Sequence, residues 1–271
     1  MLPLIVEPAS LASHLEHDNL LIVDLCKTET WEQLHIPGAV HVHPSELVCG
    51  VEPATGKLPE HEQLTALFAR LGYSRDLHIV AYDDEGGGWA GRFIWTLDVI
   101  GHEKYSLLNG GLIAWLKEGF PVEAESRPRP PADVELAIHR EQIASKDDVL
   151  ASLEDPDTII WDARSPEEYA GTRRGAARAG HIPGAINLDW LETMDKDNHL
   201  KIRDDISEVL QARGLTPDKR IITHCQTHHR SGLTWLVGKA LGYDIQAYDG
   251  SWSEWGNDPD TPVEGPAVQT G

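Results

Sequence analysis

Cysteine and long apolar runs are both scarce in this sequence. Its 271 residues include only three cysteines, Cys26, Cys49 and Cys225. So few argue against a disulfide framework and for a reducing cytoplasm. No apolar run approaches the roughly 20 residues that a membrane span needs, and the N-terminus lacks the basic and apolar regions of a signal peptide. We therefore expect a cytoplasmic protein with no membrane partner.

Surplus positive charge is also absent. The chain has 23 Lys and Arg residues against 44 Asp and Glu, a formal net charge of -21. Nucleic acid and anionic lipid repel such a chain, so neither is an expected partner. A small anionic substrate would need a locally positive site in this negative protein. The remaining composition, 41% hydrophobic and 25% charged, is that of an ordinary globular protein long enough for two domains.

An internal repeat organises the chain. A buried-strand pattern ending in Asp, a polar stretch and the letters HIPGA occur in residues 20–42 and again in residues 158–188. Two further pairs of matching segments are 68–84 with 210–226, and 108–123 with 248–264. The sequence therefore predicts two copies of one domain.

Strand and helix patterns alternate within each copy. The runs LLIVD, HIVAY, TIIWD and RIITH are typical of fully buried parallel strands, and HEQLTALFARLG and ISEVLQARGL are typical of helices. We predict an α/β protein of two tandem domains, each a parallel sheet with helices on both faces. The proline-rich residues 125–140 are interpreted as an extended linker between domains at 1–124 and 141–271.

The stretch HCQTHHRSG, residues 224–232, carries the chemistry that needs explaining. A strand pattern precedes it and a helix pattern ending at Gly242 follows, so residues 225–230 form a strand-to-helix turn, where open α/β sheets bind ligands. Unpaired N–H groups, the helix dipole and Arg230 all favour an anion there. The pKa of Cys225 should fall below its usual ~8.5, which gives a thiolate nucleophile. The alternative, a buried structural cysteine, is disfavoured in so polar a turn.

Two other chemistries compete for the same turn. Cys225, His228 and His229, with His224 beside them, could ligate a metal, but zinc ligands usually come in spaced pairs, so no metal is expected and the histidines are interpreted as solvated residues lining a pocket. Cysteine phosphatases of the tyrosine-phosphatase type use His-Cys-x5-Arg-Ser/Thr, and HCQTHHRS is one residue shorter. A smaller ring of N–H groups should fit a single sulfur better than a phosphate, which favours sulfur chemistry.

The Cys-led loop, the HIPGA box in both halves and the segment DGSWSEW together resemble the rhodanese family, in particular its bacterial tandem-domain members, over nearly the whole chain. The resemblance implies two rhodanese domains of which only the second is active. The repeat agrees, because Asp83 aligns with Cys225 and a carboxylate is no soft nucleophile. We expect the glycine-rich turn at 84–91 to be flexible and non-catalytic, because Asp83, Asp84 and Glu85 oppose any phosphate.

The reaction that the resemblance implies is a two-step sulfur exchange. The Cys225 thiolate attacks the sulfane sulfur of thiosulfate, sulfite leaves, and the persulfide passes its sulfur to cyanide or another thiophile. N–H groups of residues 226–230 are expected to stabilise the terminal sulfur, with no cofactor or metal. The expected active-site loop comprises Gln226, Thr227, His228, His229, Arg230 and Ser231.

Individual roles around the loop follow from the same comparison. We expect Arg230 to brace the loop by a salt bridge or carbonyl contacts, and Ser231 to cap the following helix. Thr227 stands where vertebrate-type rhodaneses have a lysine, and Glu168 where the family has a donor-binding arginine, so two basic groups are missing. Arg174 matches an arginine of mercaptopyruvate enzymes and is a candidate for substrate binding.

Some alternatives stay open at this point. Arg164 is interpreted as a structural partner of Asp162 or of the strand ends, and His35 and His181 as buried hydrogen-bonding residues. The activity is expected to be that of a thiosulfate:cyanide sulfurtransferase. A persulfide carrier that hands sulfur to an acceptor protein needs the same loop, and a 3-mercaptopyruvate sulfurtransferase is a further alternative.

Overall fold

The structure is a computed structural model that describes residues 2–126 and 128–265, and the chain divides into two compact units. The first unit comprises residues up to Cys49, Leu58–Arg140 and Met194–Arg203. The second comprises Gly50–Lys57, Glu141–Thr193 and the chain from Asp204 onward. Each repeat therefore contributes one short segment to the other unit. The two segments leave their repeats at the same point, shortly after the HIPGA box.

A five-stranded parallel sheet forms the centre of the first unit, with strand order β1-β5-β4-β2-β3. Its strands are β1 (Ile5–Val6), β2 (Leu20–Asp24), β3 (Val40–His41), β4 (His78–Tyr82) and β5 (Tyr105–Leu108). Its helices are α1 (Pro8–Ala12), α2 (Thr28–Gln33), α3 (His61–Arg70), α4 (Gly88–Val99) and α5 (Gly111–Lys117), with a 3₁₀ turn at Pro44–Leu47. Because every side chain of β4 is buried, this strand forms the centre of the core.

The second unit repeats this architecture with strand order β6-β12-β11-β7-β8, again entirely parallel. Its strands are β6 (Ile143–Ala144), β7 (Thr158–Asp162), β8 (Ile186–Asn187), β11 (Arg220–His224) and β12 (Ile245–Tyr248). Its helices are α6 (Lys146–Ser152), α7 (Pro166–Tyr169), α8 (Ile206–Ala212), α9 (Arg230–Ala240) and α10 (Ser251–Trp255), with 3₁₀ turns at Arg140–Gln142 and Trp190–Thr193. An antiparallel pair, β9 (Met194–Asp195) with β10 (Lys201–Ile202), belongs to the first unit.

Apolar side chains fix the helices on both sheets. In α3 the side chains of Leu64, Leu67 and Phe68 are buried, which is the spacing of one helix face. Ser145 and Ser165 form capping boxes at the starts of α6 and α7, so orphan N–H groups there are satisfied by side chains. The predicted α/β fold of two tandem copies is confirmed, and the strand patterns LLIVD, HIVAY, TIIWD and RIITH are β2, β4, β7 and β11.

The HIPGA boxes hold the end of each copy in place. The box histidine forms an isolated antiparallel bridge with a C-terminal glutamate in both units, His35 with Glu123 and His181 with Glu264. His35 Nδ1 bonds the carbonyl of Trp31 at 3.0 Å, so the expected structural role is confirmed for this residue. No helix within the described ranges has both the length and the apolar character required to cross a bilayer.

Candidate active site

The HCQTHHRSG stretch lies at the carboxyl end of the central strand of the second sheet. β11 pairs in parallel register with β7 on one side and β12 on the other, and Cys225 follows its last residue, His224. The chain then turns and enters α9 at Arg230. The predicted strand-turn-helix arrangement is therefore correct, and the loop abuts a helix N-terminus whose first N–H groups have no partner within the helix.

Main-chain hydrogen bonds from the start of α10 hold the back of the loop. Trp252 N–H donates to the Cys225 carbonyl at 3.0 Å, and Ser253 N–H donates to the Gln226 carbonyl at 2.9 Å. Ser251, at φ 52°, accepts from Cys225 N–H at 3.4 Å through its hydroxyl. The carbonyls of Cys225 and Gln226 are thus engaged on the α10 side. This explains locally why the DGSWSEW segment accompanies the Cys-led loop.

The Cys225 side chain is fully buried, yet its pKa lies below that of an ordinary thiol. Burial by itself raises the pKa of a thiol, but the charge of Arg230 and hydrogen bonds from the Ser231 hydroxyl and N–H outweigh burial. The net effect is a pKa below the ordinary thiol value, with a smaller contribution from His229. A local positive potential therefore exists in a chain of net charge -21, and one guanidinium with backbone and hydroxyl donors supplies it.

Arg230 is held by a two-pronged salt bridge. Its two terminal nitrogens donate to the two carboxylate oxygens of Glu168 at 2.6 and 3.0 Å. Burial alone would raise the pKa of Glu168, but the hydrogen bond and charge of Arg230 lower it overall. The expected bracing of the loop by a salt bridge is present. Glu168, which the sequence marked only as a missing arginine, is the partner that makes it.

A second buried ion pair lies beneath the loop. Arg164 binds Asp162 with Nε to Oδ1 at 3.0 Å and Nη2 to Oδ2 at 2.6 Å, and its guanidinium carbon lies 4.3 Å from the centre of the Trp252 ring. Arg164 is therefore the structural partner of Asp162. His224 Nε2 lies 3.7 Å from Asp162 Oδ2, and burial lowers the pKa of His224 despite the attraction of that carboxylate.

The two loop histidines make different contacts. His228 is fully buried with φ 54°, and its Nδ1 lies 2.7 Å from the Ser231 hydroxyl. The ring of His229 lies 5.7 Å from that of Trp190. Buried His228 departs from the expected solvated residue because its left-handed backbone turns the ring inward. Among the described residues, no group of three or more His, Cys, Asp or Glu side chains is placed to hold a metal ion.

Ser231 does not cap α9, contrary to the expectation. The helix begins at Arg230 and His229 is its N-cap residue, so Ser231 already lies inside the first turn. Its hydroxyl faces His228 and Cys225 instead. The Ser231 hydroxyl therefore hydrogen-bonds the Cys225 thiol and does not cap α9.

Gln226 and Thr227 contact segments that are distant in sequence. Gln226 Nε2 donates to the carbonyl of Gly175 at 2.9 Å. Gly56 packs on Thr227 so closely that a Cβ at residue 56 would lie 2.2 Å from the Thr227 carbonyl oxygen. The next residue, Lys57, pairs with Glu254 of α10 at 2.5 Å. The segment Gly50–Lys57 of the first repeat is thus a neighbour of the loop within the second unit, which no local pattern indicated.

Arg174 is exposed and lies in the turn that Gln226 contacts through Gly175. Its Nε donates to the carbonyl of Ala176 at 2.9 Å, and Nη2 contacts the carbonyl of Ala177. The guanidinium of Arg174 therefore binds carbonyls of its own turn, next to the Gly175 carbonyl that Gln226 contacts.

The matching loop of the first unit is built around Asp83. Its carboxylate accepts N–H bonds from Glu85, Gly86 and Gly87 on Oδ1 at 3.0, 3.1 and 2.8 Å, and from Ala90 on Oδ2 at 3.0 Å. Burial raises the pKa of Asp83 to about 6, with Glu85 adding and the backbone bonds opposing. The turn is therefore organised by four hydrogen bonds, rather than the flexible turn that the sequence suggested.

Comparison with known proteins gives one family and several relatives. The Rhodanese-like domain family matches residues 7–118 and again residues 145–258. The chain is similar to a thiosulfate sulfurtransferase of Azotobacter vinelandii, with 53% identity over 97% of each chain, and to one of Pseudomonas aeruginosa, with 52% identity over 97% of each. It is also similar to the sulfur carrier protein TtuD of Thermus thermophilus, with 33% identity over 92% of each.

Proposed function

The chain belongs to the rhodanese family, and on that premise we propose that it is a sulfurtransferase that moves the sulfane sulfur of thiosulfate to a thiophile through a persulfide on Cys225. The observation that carries the proposal is the Cys225 thiol at the head of the strand-to-helix loop, with its pKa lowered by Arg230 and Ser231 despite full burial. A thiolate is the form that attacks sulfur.

In the first step, the Cys225 thiolate attacks the outer sulfur of thiosulfate. A sulfur–sulfur bond forms to Cys225, the sulfur–sulfur bond of thiosulfate breaks, and sulfite leaves with the bonding electron pair. The step needs no oxidant, cofactor or metal. Arg230 stays paired with Glu168, so its charge stabilises the thiolate without moving.

In the second step, cyanide or another thiophile attacks the terminal sulfur of the persulfide. The bond to Cys225 breaks, thiocyanate leaves in the case of cyanide, and the thiolate returns. Between the steps, N–H groups of residues 226–230 stabilise the charge on the terminal sulfur. The bonds from Trp252 and Ser253 occupy the loop carbonyls of Cys225 and Gln226, which favours amides aimed towards the thiol.

Thiosulfate is the donor that the charges favour. The loop dipoles and Arg174 provide the anion attraction, while Thr227 and Glu168 stand where related enzymes have cations. Mercaptopyruvate would need the loop of the mercaptopyruvate enzymes and their arginines at the positions of Glu168 and Arg174. This chain keeps an arginine only at position 174. The first repeat is catalytically inactive, since Asp83 offers no thiol.

A persulfide carrier remains a second candidate, favoured by the similarity to the sulfur carrier protein of Thermus thermophilus. In that role a protein thiol would take the sulfur from Cys225. Within the described residues, Cys26, Cys49 and Cys225 form no disulfide. This fits a reducing cytoplasm, where we propose that the protein acts.

Steady-state turnover with thiosulfate and cyanide tests the proposal. Double-reciprocal plots at several cyanide concentrations should be parallel, because sulfite leaves before cyanide reacts. The Cys49→Ala variant is a matched control and should behave like the wild type. Intersecting lines would contradict the exchange mechanism. One equivalent of sulfite released from thiosulfate without turnover would favour the carrier.

A further inference from the structure

The imidazole of His228 contacts the side chain that contacts the nucleophile. His228 and Ser231 are both fully buried, and His228 Nδ1 lies 2.7 Å from the Ser231 hydroxyl oxygen. The same hydroxyl hydrogen-bonds the Cys225 sulfur. The three side chains therefore form one continuous chain of hydrogen bonds, from the imidazole through the hydroxyl to the thiol.

The number of protons in this chain fixes the direction of its hydrogen bonds. A serine hydroxyl carries a single proton and donates in one direction at a time, while a thiolate can only accept. When Cys225 is a thiolate, the Ser231 proton must therefore point at the sulfur. The hydroxyl oxygen is then left as an acceptor, so the 2.7 Å contact with His228 is a hydrogen bond only if Nδ1 carries a proton.

The main chain around Ser231 is anchored, which leaves the direction of its hydroxyl proton to be controlled. Ser231 lies in the first turn of α9, and its carbonyl accepts a hydrogen bond from the Thr234 hydroxyl at 3.3 Å. The Thr234 hydroxyl lies 2.7 Å from that of Thr223 in β11, which ties the turn to the central strand. A hydroxyl proton otherwise rotates to suit its neighbours. A donor on the side of His228 leaves the sulfur as its acceptor.

The first repeat has neither side chain of this pair. His228 has φ 54°, and the aligned residue Gly86 has φ 107°. A positive φ is strained for a residue with a side chain and unstrained for glycine. The residue aligned with Ser231 is Trp89, which has no hydroxyl. The strained backbone therefore carries an imidazole, with a hydroxyl in its reach, in the repeat that has the thiol.

We propose that His228 is a positioning residue for the nucleophile: its Nδ1–H donates to the Ser231 hydroxyl, and the proton of that hydroxyl is thereby directed at the Cys225 sulfur. The inference rests on the proposed sulfurtransferase function and adds to it a residue that acts through Ser231. Without the imidazole, the hydroxyl can turn its proton away, and the thiolate loses part of its stabilisation.

The pH profile of Cys225 alkylation tests the proposal without any sulfur donor. Iodoacetamide reacts with the thiolate, so the midpoint of the rate against pH reports ionisation, and the plateau at high pH reports access. His228→Gly removes the imidazole and tolerates the positive φ. Its midpoint should move to higher pH, and below the wild-type midpoint alkylation should be about three- to tenfold slower. A change in access alone would alter the plateau and leave the midpoint where it is.

A double-variant cycle separates positioning from a general disturbance of the loop. Because His228 acts through Ser231, His228→Gly should move the midpoint in the wild type and leave it unmoved in Ser231→Ala. The matched control is His229→Gly. His229 and Arg230 act on the thiol by charge, so the effect of this control should be the same in both backgrounds. His228→Asn keeps an N–H donor near the place of Nδ1 and tolerates a positive φ, so its midpoint should lie between those of the wild type and His228→Gly.

Two results would overturn the proposal. One is a wild-type midpoint in His228→Gly, and the other is an equal shift in the Ser231→Ala background. If His228→Gly does not fold, nitrogen NMR of the wild type labelled in its histidine rings decides, with the His228 signals assigned by their loss in His228→Asn. A His228 Nδ1 that carries no proton while Cys225 is a thiolate would also sink the idea. Failure of the wild type to release sulfite from thiosulfate would reject the sulfurtransferase function and leave these readings unaffected.

Discussion

The two repeats carry the same loop with opposite charge arrangements. In the second unit the thiol of Cys225 heads the loop, and Arg230 enters α9 beside it. In the first unit the carboxylate of Asp83 heads the loop, and the residue at the start of α4 is Gly88. The backbone at the end of a central parallel strand offers N–H groups in both. The two loops therefore differ in the head residue, in the residue that starts the helix and in the backbone just before it, where Gly87 has φ 103° and His229 has φ -88°.

The comparison also shows how the pKa of a buried thiol is lowered in an acidic chain. Arg230 is partly buried and is paired with the buried Glu168, and its charge nevertheless lowers the pKa of the Cys225 thiol. In the first loop, Asp84 and Glu85 follow the head residue instead. Burial and the neighbouring aspartates, among them Asp24, Asp83 and Asp84, raise the pKa of Cys26 in the first unit far above the ordinary thiol range. The pKa of the buried thiol is therefore raised in the first unit, at Cys26, and lowered in the second, at Cys225.

Removing the nucleophile should have the largest effect. Cys225→Ala leaves no thiol in the second loop, so we expect sulfur transfer to fall by at least about 10³-fold, more than 4 kcal/mol in barrier, while circular dichroism shows a folded protein. The double variant Cys26→Ala/Cys49→Ala should keep most activity in the same assay. Substantial turnover by Cys225→Ala would assign the reaction to another group.

Removing the positive charge should shift the pH dependence. The pKa of Cys225 is lowered, so wild-type kcat/KM is present above that pKa and is lost as pH falls through it. In Arg230→Gln the thiol pKa rises, so kcat/KM at pH 7 should fall about 10- to 100-fold and recover as pH increases. Arg230→Gln/Glu168→Gln avoids an unpaired buried carboxylate and should show the same shift. An unchanged pH profile of kcat/KM in both variants would show that Arg230 does not lower the pKa of Cys225.

Adding a positive charge beside the donor should have a smaller effect. Thr227→Lys returns a cation to the loop, so the KM for thiosulfate should fall about three- to tenfold and should become more sensitive to salt. Thr227→Met is the uncharged control of similar length. The comparison is kcat/KM for thiosulfate and mercaptopyruvate. Faster wild-type turnover of mercaptopyruvate would reverse the donor assignment, and an unchanged thiosulfate KM would show that residue 227 does not face the donor.

Changing the head of the first loop should affect turnover least. Asp83→Ala removes no group that touches the donor, so the rate per folded molecule should stay within about threefold of the wild type, under ~1 kcal/mol in barrier. The fraction folded is measured alongside, because stability is expected to fall. A hundredfold loss in rate with the fold intact would show that the first loop takes part in the reaction.

Much of this arrangement could be predicted from sequence because it is local. Short runs centred on two to four apolar residues, mostly branched or aromatic, indicate buried parallel strands, so β2, β4, β7 and β11 could be predicted from LLIVD, HIVAY, TIIWD and RIITH. The strand-to-helix turn after His224 follows from the same patterns. The expected cap by Ser231 was wrong, because α9 begins at Arg230, two residues before the start that such a cap implies, and the Ser231 hydroxyl hydrogen-bonds the Cys225 thiol instead.

The remaining features depend on contacts between residues far apart in the chain. In the sequence, Glu168 stands where the family has an arginine, so it was interpreted only as a missing basic group. Its 2.6 Å hydrogen bond from Arg230 shows that it holds the guanidinium of the active-site loop. The packing of Gly56 on Thr227 joins residues 171 positions apart, and no periodicity encodes such a pair. The hydrogen bonds to Asp83 depend on where a turn directs its N–H groups, which glycines permit but do not specify.

The intact mass of the protein tests the central claim most directly, namely that sulfur is carried by the loop with the thiol and not by the loop with the carboxylate. After incubation with thiosulfate and removal of excess donor, the wild type should gain about 32 Da, one sulfur atom, and peptide mapping should place it on Cys225. Cyanide should remove the gain, and Cys225→Ala should never acquire it. A gain that persists in Cys225→Ala, or no gain in the wild type, would contradict the account.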